Sequence, residues 1–467
     1  MVEKKDLVII GGGPGGYLAA LRAAQLKKKV VVFEEDRIGG TCINYGCIPT
    51  KYLLHQTKVF KDLKTGKKLR GPLAEIGLDW AAVQAGRAEV AGRLAKNLEF
   101  LLQKNKVEIV KGTARLKNER QAAVVVGGEE RLYEGGAVIL ASGSRSASLP
   151  FLQPDGRVVV TSRDALEFDE IPRSLLVVGA GAIGLEMGSI YHRLGTDVTV
   201  LEIMPTVMPG SDKEMASRLE RTLKKQGLKI FTQMRIEEAR VAGGKAVLQG
   251  TCLKNQVPFS YEGDKVLLAA GRRPNSENLA EDDSLLALGK GGIVQVNDFL
   301  ETSAPGVYAI GDLIGGKLLA HKAYHDAVCA AENAAGLRRR VDYTALPMAV
   351  FTEPEFASVG LTQEEALSAG VKVQSGTFPL QASGRAMTMD STDGLVKVLA
   401  DGNDRVIGGH ILAPAASEII GELALAVSKG MKIQDIASVI HIHPTFSEAV
   451  VEAALKVKNE ALHLLNQ

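Results

Sequence analysis

The sequence predicts an α/β protein: two parallel-sheet units, one inserted in the other, followed by a smaller α+β unit. Three observations lead there. A short apolar run, Leu7-Val8-Ile9-Ile10, passes directly into Gly11-Gly12-Gly13-Pro14-Gly15-Gly16. The same design returns at Leu175-Leu176-Val177-Val178 and Gly179-Ala180-Gly181-Ala182-Ile183-Gly184. After residue 344 the pattern changes to β-like pieces alternating with helices, which suits an antiparallel sheet with helices on one side.

In the first unit, residues 6–10 read as a buried parallel strand and Tyr17 to Leu26 as a helix. The next strand, Val30-Val31-Val32-Phe33, ends at Glu34. Gly11, Gly13 and Gly16 therefore form G-x-G-x-x-G at a strand-to-helix turn, the Rossmann-like fingerprint for a dinucleotide. Glycine is needed because a pyrophosphate must approach the backbone closely at a helix N-terminus. The acid ending the second strand stands where a ribose hydroxyl is gripped. In the second copy Gly179, Gly181 and Gly184 fill the glycine places and Val198-Thr199-Val200-Leu201 leads to Glu202. Glu34 lies 23 residues after Gly11, and Glu202 lies 23 residues after Gly179. Two copies at equal spacing imply two nucleotide sites. The carboxylate of Glu202 favours NAD over NADP at the second, since it repels a 2′-phosphate and no arginine follows directly.

Between the copies, Trp80 to Lys104 reads as a long helix packed on the first unit. Ala137 to Arg145 reads as a strand returning to that unit, and Lys265 to Arg272 echoes it after the second copy. These echoes imply boundaries at 1–146, 147–270, 271–343 and 344–467, with the second span inserted in the first unit. Val307 to Asp312 is a further strand, followed by a helix starting near Leu319. Asp312 at the strand's carboxyl end either bonds a polyol chain or caps the following helix; both readings stand.

Chemistry concentrates in Gly39-Gly40-Thr41-Cys42-Ile43-Asn44-Tyr45-Gly46-Cys47-Ile48-Pro49-Thr50-Lys51. Pro49 suits a first helical turn, so Cys47 falls at the positive end of a helix, where a thiolate is stabilised. Cys42 and Cys47 then form a dithiol/disulfide redox pair. The competing readings are an inert disulfide or half of a metal site, although no second pair of ligands at similar spacing appears. Near the end stands His441-Ile442-His443-Pro444-Thr445-Phe446-Ser447-Glu448. His443 with Glu448 at a helix start reads as a base oriented by a carboxylate. Alternatives are a structural histidine, or a metal pair His441/His443 for which no third ligand is evident.

Composition narrows the rest. The 467 residues suffice for about three domains, and 46% hydrophobic with 24% charged residues is ordinary for a globular protein. A net charge of +2 gives no reason to expect nucleic acid. The basic stretch Lys58, Lys61, Lys64, Lys67, Lys68, Arg70 reads as a solvated helix end and loop. Four cysteines in a chain this long do not make a secreted disulfide scaffold; Cys252 and Cys329 read as small core residues. No apolar stretch approaches a membrane span. A cytoplasmic protein, or the mature form of an organelle enzyme, is expected.

Taken together, the fingerprints, G-G-T-C-x-N-x-G-C-x-P, Gly311-Asp312 and H-x-H-P-T-x-S-E resemble the flavin-dependent pyridine nucleotide–disulfide oxidoreductases over essentially the whole chain. Within that family they are most similar to the dihydrolipoamide dehydrogenase branch, as is Leu319-Ala320-His321-Lys322-Ala323. The resemblance implies FAD on Gly11, Gly13, Gly16 and Glu34, with Thr41, Lys51, Ser142, Gly143, Gly311, Asp312 and Ala320 also around it. It implies NAD on Gly179, Gly181, Gly184, Glu202 and Gly271. It implies a pairing of Lys51 with Glu186, and a homodimer whose C-terminal domain brings His443 and Glu448 to the other subunit's Cys42–Cys47. The implied reaction is oxidation of dihydrolipoamide by NAD⁺, on lipoylated carrier domains of an E2 component or H-protein supplied as separate proteins, with no metal. Rival readings are a glutathione-reductase-like enzyme and a flavoprotein redox sensor without turnover. The chain departs from the branch at Thr50, where serine is usual, and at Ala182, where a larger residue often shields the nicotinamide side of the flavin.

Overall fold

The computed structural model describes residues 2–66, 69, 71 and 75–466. Lys67, Lys68 and Arg70 of the basic stretch lie outside them.

The first sheet has seven strands, in the order Glu108–Lys111, Val30–Glu34, Val2–Ile10, Glu129–Leu140, Gln121–Val126 and Thr113–Leu116, with Val307–Ala309 also paired to Glu129–Leu140. Its centre is parallel: Ile10 sits in register with Phe33 on one side and Leu140 on the other, and Leu140 with Ala309. Leu7, Val8, Ile9 and Ile10 are all buried, because helices cover one face and an antiparallel hairpin region the other. That two-sided burial is why the run is continuous rather than alternating.

The second sheet, Lys229–Phe231, Asp197–Leu201, Ser174–Val178, Lys265–Leu268 and Val159–Val160, is wholly parallel. An antiparallel meander, Met234–Ala242, Lys245–Cys252 and Val257–Gly263, packs on it. The chain leaves the first unit through Ser144–Ser146 and returns through Arg272–Pro274, and these two passages pair antiparallel side by side. An inserted α/β unit is the arrangement the duplicated motif implied. The third sheet, of five antiparallel strands ordered Met348–Val350, Glu355–Gly360, Val406–Ala413, Leu395–Ala400, Gln374–Pro379, carries the helices Ala416–Lys429 and Glu448–Lys456 on its core.

Several expectations need correction. The strands read as Ala137–Arg145 and Lys265–Arg272 stop at Leu140 and Leu268. Gly143 and Gly271, at φ 70° and 122°, turn each chain out of its sheet into the paired crossing. The helix Trp80–Lys104 does not rest on the first unit alone. Leu98 and Leu102 join the first unit's core, but Trp80 and Val83 join the second's, where the Trp80 indole donates to Phe168 O at 2.8 Å. Its apolar positions run along one face regardless of which neighbour they meet, so periodicity could not divide them. Cys329 is buried, whereas Cys252 is half-buried at the end of a meander strand.

The second and third units are tied by a buried ion pair. Lys397 Nζ lies 3.0 Å from Asp212 Oδ2, their side chains 4% and 0% exposed, and 3.2 Å from Glu214. Asp212 also caps the helix Lys213–Lys225 through the Met215 amide at 3.2 Å. Burial raises its pKa, but His410, Lys397 and that amide more than offset this and hold it below the usual range. Wholly buried His410 is itself pushed down to about 4 by burial. A carboxyl depressed in this way stabilises the fold above its unfolded pKa of about 3.9 and loses that contribution as pH falls through the folded value. Lys397→Met should therefore lower stability at pH 7 by roughly 3–5 kcal/mol, seen as a lower thermal midpoint. The gap between variant and parent should close as the pH falls through the depressed folded pKa of Asp212.

Candidate active site: a dithiol beside two glycine cradles

Each fingerprint forms the same cradle. A Cβ at Gly11 would lie 2.3 Å from Ala141 O and one at Gly179 2.5 Å from Ala269 O, so each first glycine lets two strand ends close together. A Cβ at Gly16 would fall 1.7 Å from Gly11 O, and one at Gly184 1.9 Å from Gly179 O, so each third glycine seats the helix against its turn. The middle glycines differ. Gly181 has no atom within 4 Å of that position, and Gly13 only Gly40 Cα at 3.9 Å. The space they leave open is where a phosphate backbone could approach the start of the helices Pro14–Gln25 and Ala182–Arg193.

The two acids repeat one another as well. Glu34 accepts from the Gly12 amide at 2.7 Å and the Asp36 amide at 2.8 Å; Glu202 accepts from Ala180 at 2.7 Å and Met204 at 2.8 Å. Burial raises the Glu34 pKa against those two amides. Both carboxylates are thereby held in place beside their cradles. The residues present fit two dinucleotides.

The dithiol abuts the first cradle. Gly39 donates to Gly12 O at 2.9 Å, and a Cβ on Gly40, at φ 54°, would meet Gly13 Cα at 2.6 Å. Only glycine at both places allows that approach. Cys42 lies in the short helix Gly40–Tyr45, and Cys47 is the first residue of the helix Cys47–Thr65. Buried Asn44 braces the turn by donating to Ile38 O and Gly40 O at 3.1 and 3.0 Å. Thr50 Oγ1 donates to Gly46 O at 2.6 Å, so the hydroxyl that threonine shares with serine is in use.

The sulfurs are hydrogen-bonded to one another and are electrostatically unequal. The bond from Cys42, joined by the Lys51 ammonium, draws Cys47 down to about 7 against burial and Glu186. The same bond, with burial, pushes Cys42 up. A reduced pair therefore holds its charge on Cys47. Lys51 Nζ pairs with Glu186 Oε1 and Oε2 at 3.0 and 2.8 Å, and stands 4.4 Å from the Phe351 ring centroid. Glu186, 5% exposed, also accepts from the Phe351 amide at 2.9 Å.

Asp312 lies in a short 3₁₀ turn, Gly311–Ile314, and does not cap the next helix. It accepts from Ser144 Oγ, whose hydroxyl also receives Arg272 Nε at 2.7 Å. The helix Ala320–Ala334 begins without any side-chain cap, leaving the amides at Ala320 free for an acceptor. Ser142 Oγ instead bonds Asn275 O at 2.8 Å and helps hold the crossing. Thr41 is exposed beside Cys42.

The sequence reading missed what fixes Gly311. Its amide donates to Asp326 at 3.0 Å, and buried Lys322 bridges Asp326 and Gly311 O at 2.9 and 3.2 Å. Lys322 and Asp326 stand four apart on a helix, a spacing that could have flagged the pair.

His443 is not brought to the cysteines within one chain. Its Nδ1 lies 2.8 Å from Glu448 Oε1, while the ring is 80% exposed. Glu448 opens the helix Glu448–Lys456 and accepts from the Thr445 amide at 2.7 Å. Burial works against ionisation of Glu448, but that amide and His443 hold its pKa below the usual range. His441 faces Glu422 at 3.0 Å and Val439 O at 2.9 Å. Among the described residues, no group of three or more metal-ligand side chains is assembled. Ile440 and Ile442, 97% and 79% exposed, flank these histidines and would be costly to leave in water.

Comparison with known proteins decides the family. Residues 5–327 match the model for pyridine nucleotide-disulphide oxidoreductases, and residues 346–454 match that family's dimerisation domain. The chain belongs to this family. As a pyridine nucleotide-disulphide oxidoreductase it is an enzyme that uses FAD and NAD(H), and its dimerisation domain makes it a homodimer. It is 43% identical to dihydrolipoyl dehydrogenase of Thermus scotoductus across 99% of both chains. It is 40% identical to the mitochondrial dihydrolipoyl dehydrogenase of Pisum sativum, across 99% of this chain and 93% of that one. Among solved structures, LpdA of Mycobacterium tuberculosis superposes with a TM-score of 0.86 at 28% identity, over 97% and 99% of the two chains. Among the described residues no helix is long and apolar enough to cross a membrane.

In this oxidoreductase, the Lys51 charge is what helps keep Cys47 ionised at neutral pH. Lys51→Met should raise the Cys47 titration midpoint from about 7 by about one pH unit. The pH dependence of Cys47 alkylation in the reduced enzyme, read by peptide mass spectrometry, measures it.

Proposed function

We propose that this chain oxidises dihydrolipoamide to lipoamide with NAD⁺ as acceptor, through a Cys42–Cys47 disulfide. In this reading FAD takes the first cradle, with Gly11, Gly13, Gly16, Glu34, Thr41, Lys51, Ser142, Gly143, Gly311, Asp312 and Ala320 around it. NAD takes the second, with Gly179, Gly181, Gly184, Glu202 and Gly271. Bound FAD supplies two-electron transfer between the dithiol and the nicotinamide. The domain boundaries proposed from the sequence assign the residues between 147 and 270 to NAD binding. What carries the proposal is the unequal dithiol, hydrogen-bonded and set at a helix N-terminus against an open cradle.

The chain's own residues account for the thiol chemistry. Only a thiolate attacks a disulfide, so a base must remove a proton from the substrate. His443 of the partner subunit serves, because Glu448 occupies Nδ1 and leaves Nε2 as the acceptor. The substrate thiolate attacks Cys42, forming a mixed disulfide, and the Cys42–Cys47 bond breaks. Cys47 departs as a thiolate, and its low pKa makes it the better leaving group. As the second substrate thiol displaces Cys42, His443 hands its proton to the departing Cys42 sulfur and takes that thiol's proton in its place, and cyclic lipoamide is released. Lys51 balances the charge left on Cys47. The lipoyl group is carried by a separate protein, an E2 core or H-protein, and the substrate enters between the two subunits.

Steady-state reduction of NAD⁺ by dihydrolipoamide tests the reading, against NADP⁺ and against glutathione. Turnover confined to NADP⁺ or glutathione would sink it, as would none with FAD bound. His443→Gln should lower dihydrolipoamide oxidation by about 10²–10⁴-fold while leaving electron transfer from NADH to an artificial acceptor near the parent rate. Ala182 is half-buried at the first turn of the helix behind the second cradle. Ala182→Ile should raise KM for NAD⁺ several-fold and slow reoxidation of the reduced enzyme by oxygen.

A further inference from the structure

Between the two cysteines stands Tyr45, the last residue of the short helix that carries Cys42. The Arg163 guanidinium lies over its ring, 3.6 Å from the centroid, well inside the ~6 Å reach of a cation–π contact. Arg37 stands 6.0 Å from the same centroid. Arg163 also pairs with Asp36 at 3.4 Å, and the Asp36 amide is bonded to Glu34 of the first cradle. Arg163 comes from the inserted unit, and its anchorage is rigid. It lies in the turn Ser162–Ala165, where Asp164 accepts from the Thr161 amide and hydroxyl at 2.8 and 2.7 Å. Ala165 and Leu166 beside it are wholly buried, and Ala165 O accepts from the Tyr191 hydroxyl.

The turn between the cysteines is thus gripped at its midpoint by a side chain from another unit. After Tyr45 the helix breaks at Gly46, whose φ of −148° and ψ of −108° leave the backbone without helical support. Within the segment Asn44 braces its start on Ile38 O and Gly40 O and Thr50 bonds Gly46 O, while Tyr45 at the end of the Cys42 helix is held by a side chain from outside it. We propose that Tyr45 and Arg163 form a clasp that positions this turn and so sets the stability of the disulfide that Cys42 and Cys47 can form. Two sulfurs held close have a high effective concentration for one another, and that favours the bond between them. In forming it two thiols lose two protons and two electrons, which the oxidised partner of a thiol buffer accepts.

This inference rests on Cys42 and Cys47 being the redox couple, and the experiment separates the two claims. The FAD-loaded dimer is equilibrated without oxygen in mixtures of oxidised and reduced dithiothreitol, then trapped with iodoacetamide. Alkylation of Cys42 and Cys47 is read by peptide mass spectrometry. Tyr45→Leu and Arg163→Met should each reduce the disulfide equilibrium constant by about three- to tenfold, a rise in potential of about 15–30 mV. The double variant should show no further change, and Tyr45→Phe, which keeps the ring, should match the parent. Single variants at the parent potential, or effects that add in the double variant, would overturn the clasp while leaving the couple intact. A parent in which residues 42 and 47 never oxidise together would overturn both. Arg163→Met lies outside the dithiol segment, so it reads the clasp even if Tyr45→Leu folds poorly.

Discussion

The carboxylate of Glu186 is the constraint on which the site depends. A buried charge must be paired and fully hydrogen-bonded or it destabilises the fold. Glu186 meets that requirement by reaching across units: it comes from the helix of the second cradle, takes Lys51 from the dithiol helix, and takes the Phe351 amide from the third unit. Satisfying one carboxylate therefore fixes three units relative to one another around the cysteines. The same pair also tunes them. The bond from Cys42 draws Cys47 down against burial, and to that balance Lys51 adds a pull towards ionisation and Glu186 an opposing one.

Around that point the molecule uses one cradle twice. In both copies the first glycine admits a returning strand, the third admits the helix, and the acid is pinned by two amides at matching distances. What differs is what lies against the open middle glycine. At Gly13 it is Gly40, which brings the dithiol with it; at Gly181 nothing lies within contact. One cradle thus abuts the dithiol, and the other is left open at its middle glycine.

Much of this was legible in the sequence, because glycines with distinct steric duties and acids at fixed strand ends leave a pattern in single residues. The place of Cys47 at a helix start could be read from Pro49, and that of Glu448 from its distance to His443. Other features could not be read, since they depend on partners far away in sequence. Asp312 could be a cap or a ligand-facing acid until Ser144 and Arg272 were seen around it. The Trp80–Lys104 helix shows one apolar face, yet that face meets two cores in succession. The Asp212–Lys397 pair spans sequence-distant units and leaves no local trace.

The crossing of Ser144–Ser146 with Arg272–Pro274 has a bearing on how the chain matures. Val307–Ala309 supplies a parallel neighbour to Glu129–Leu140 at one edge, so the first sheet stays incomplete until that strand has been synthesised. The inserted unit has all five of its parallel strands by Leu268. On a ribosome, the part made second therefore has the means to finish first, and by drawing its two ends together it shortens the loop that the older part must close.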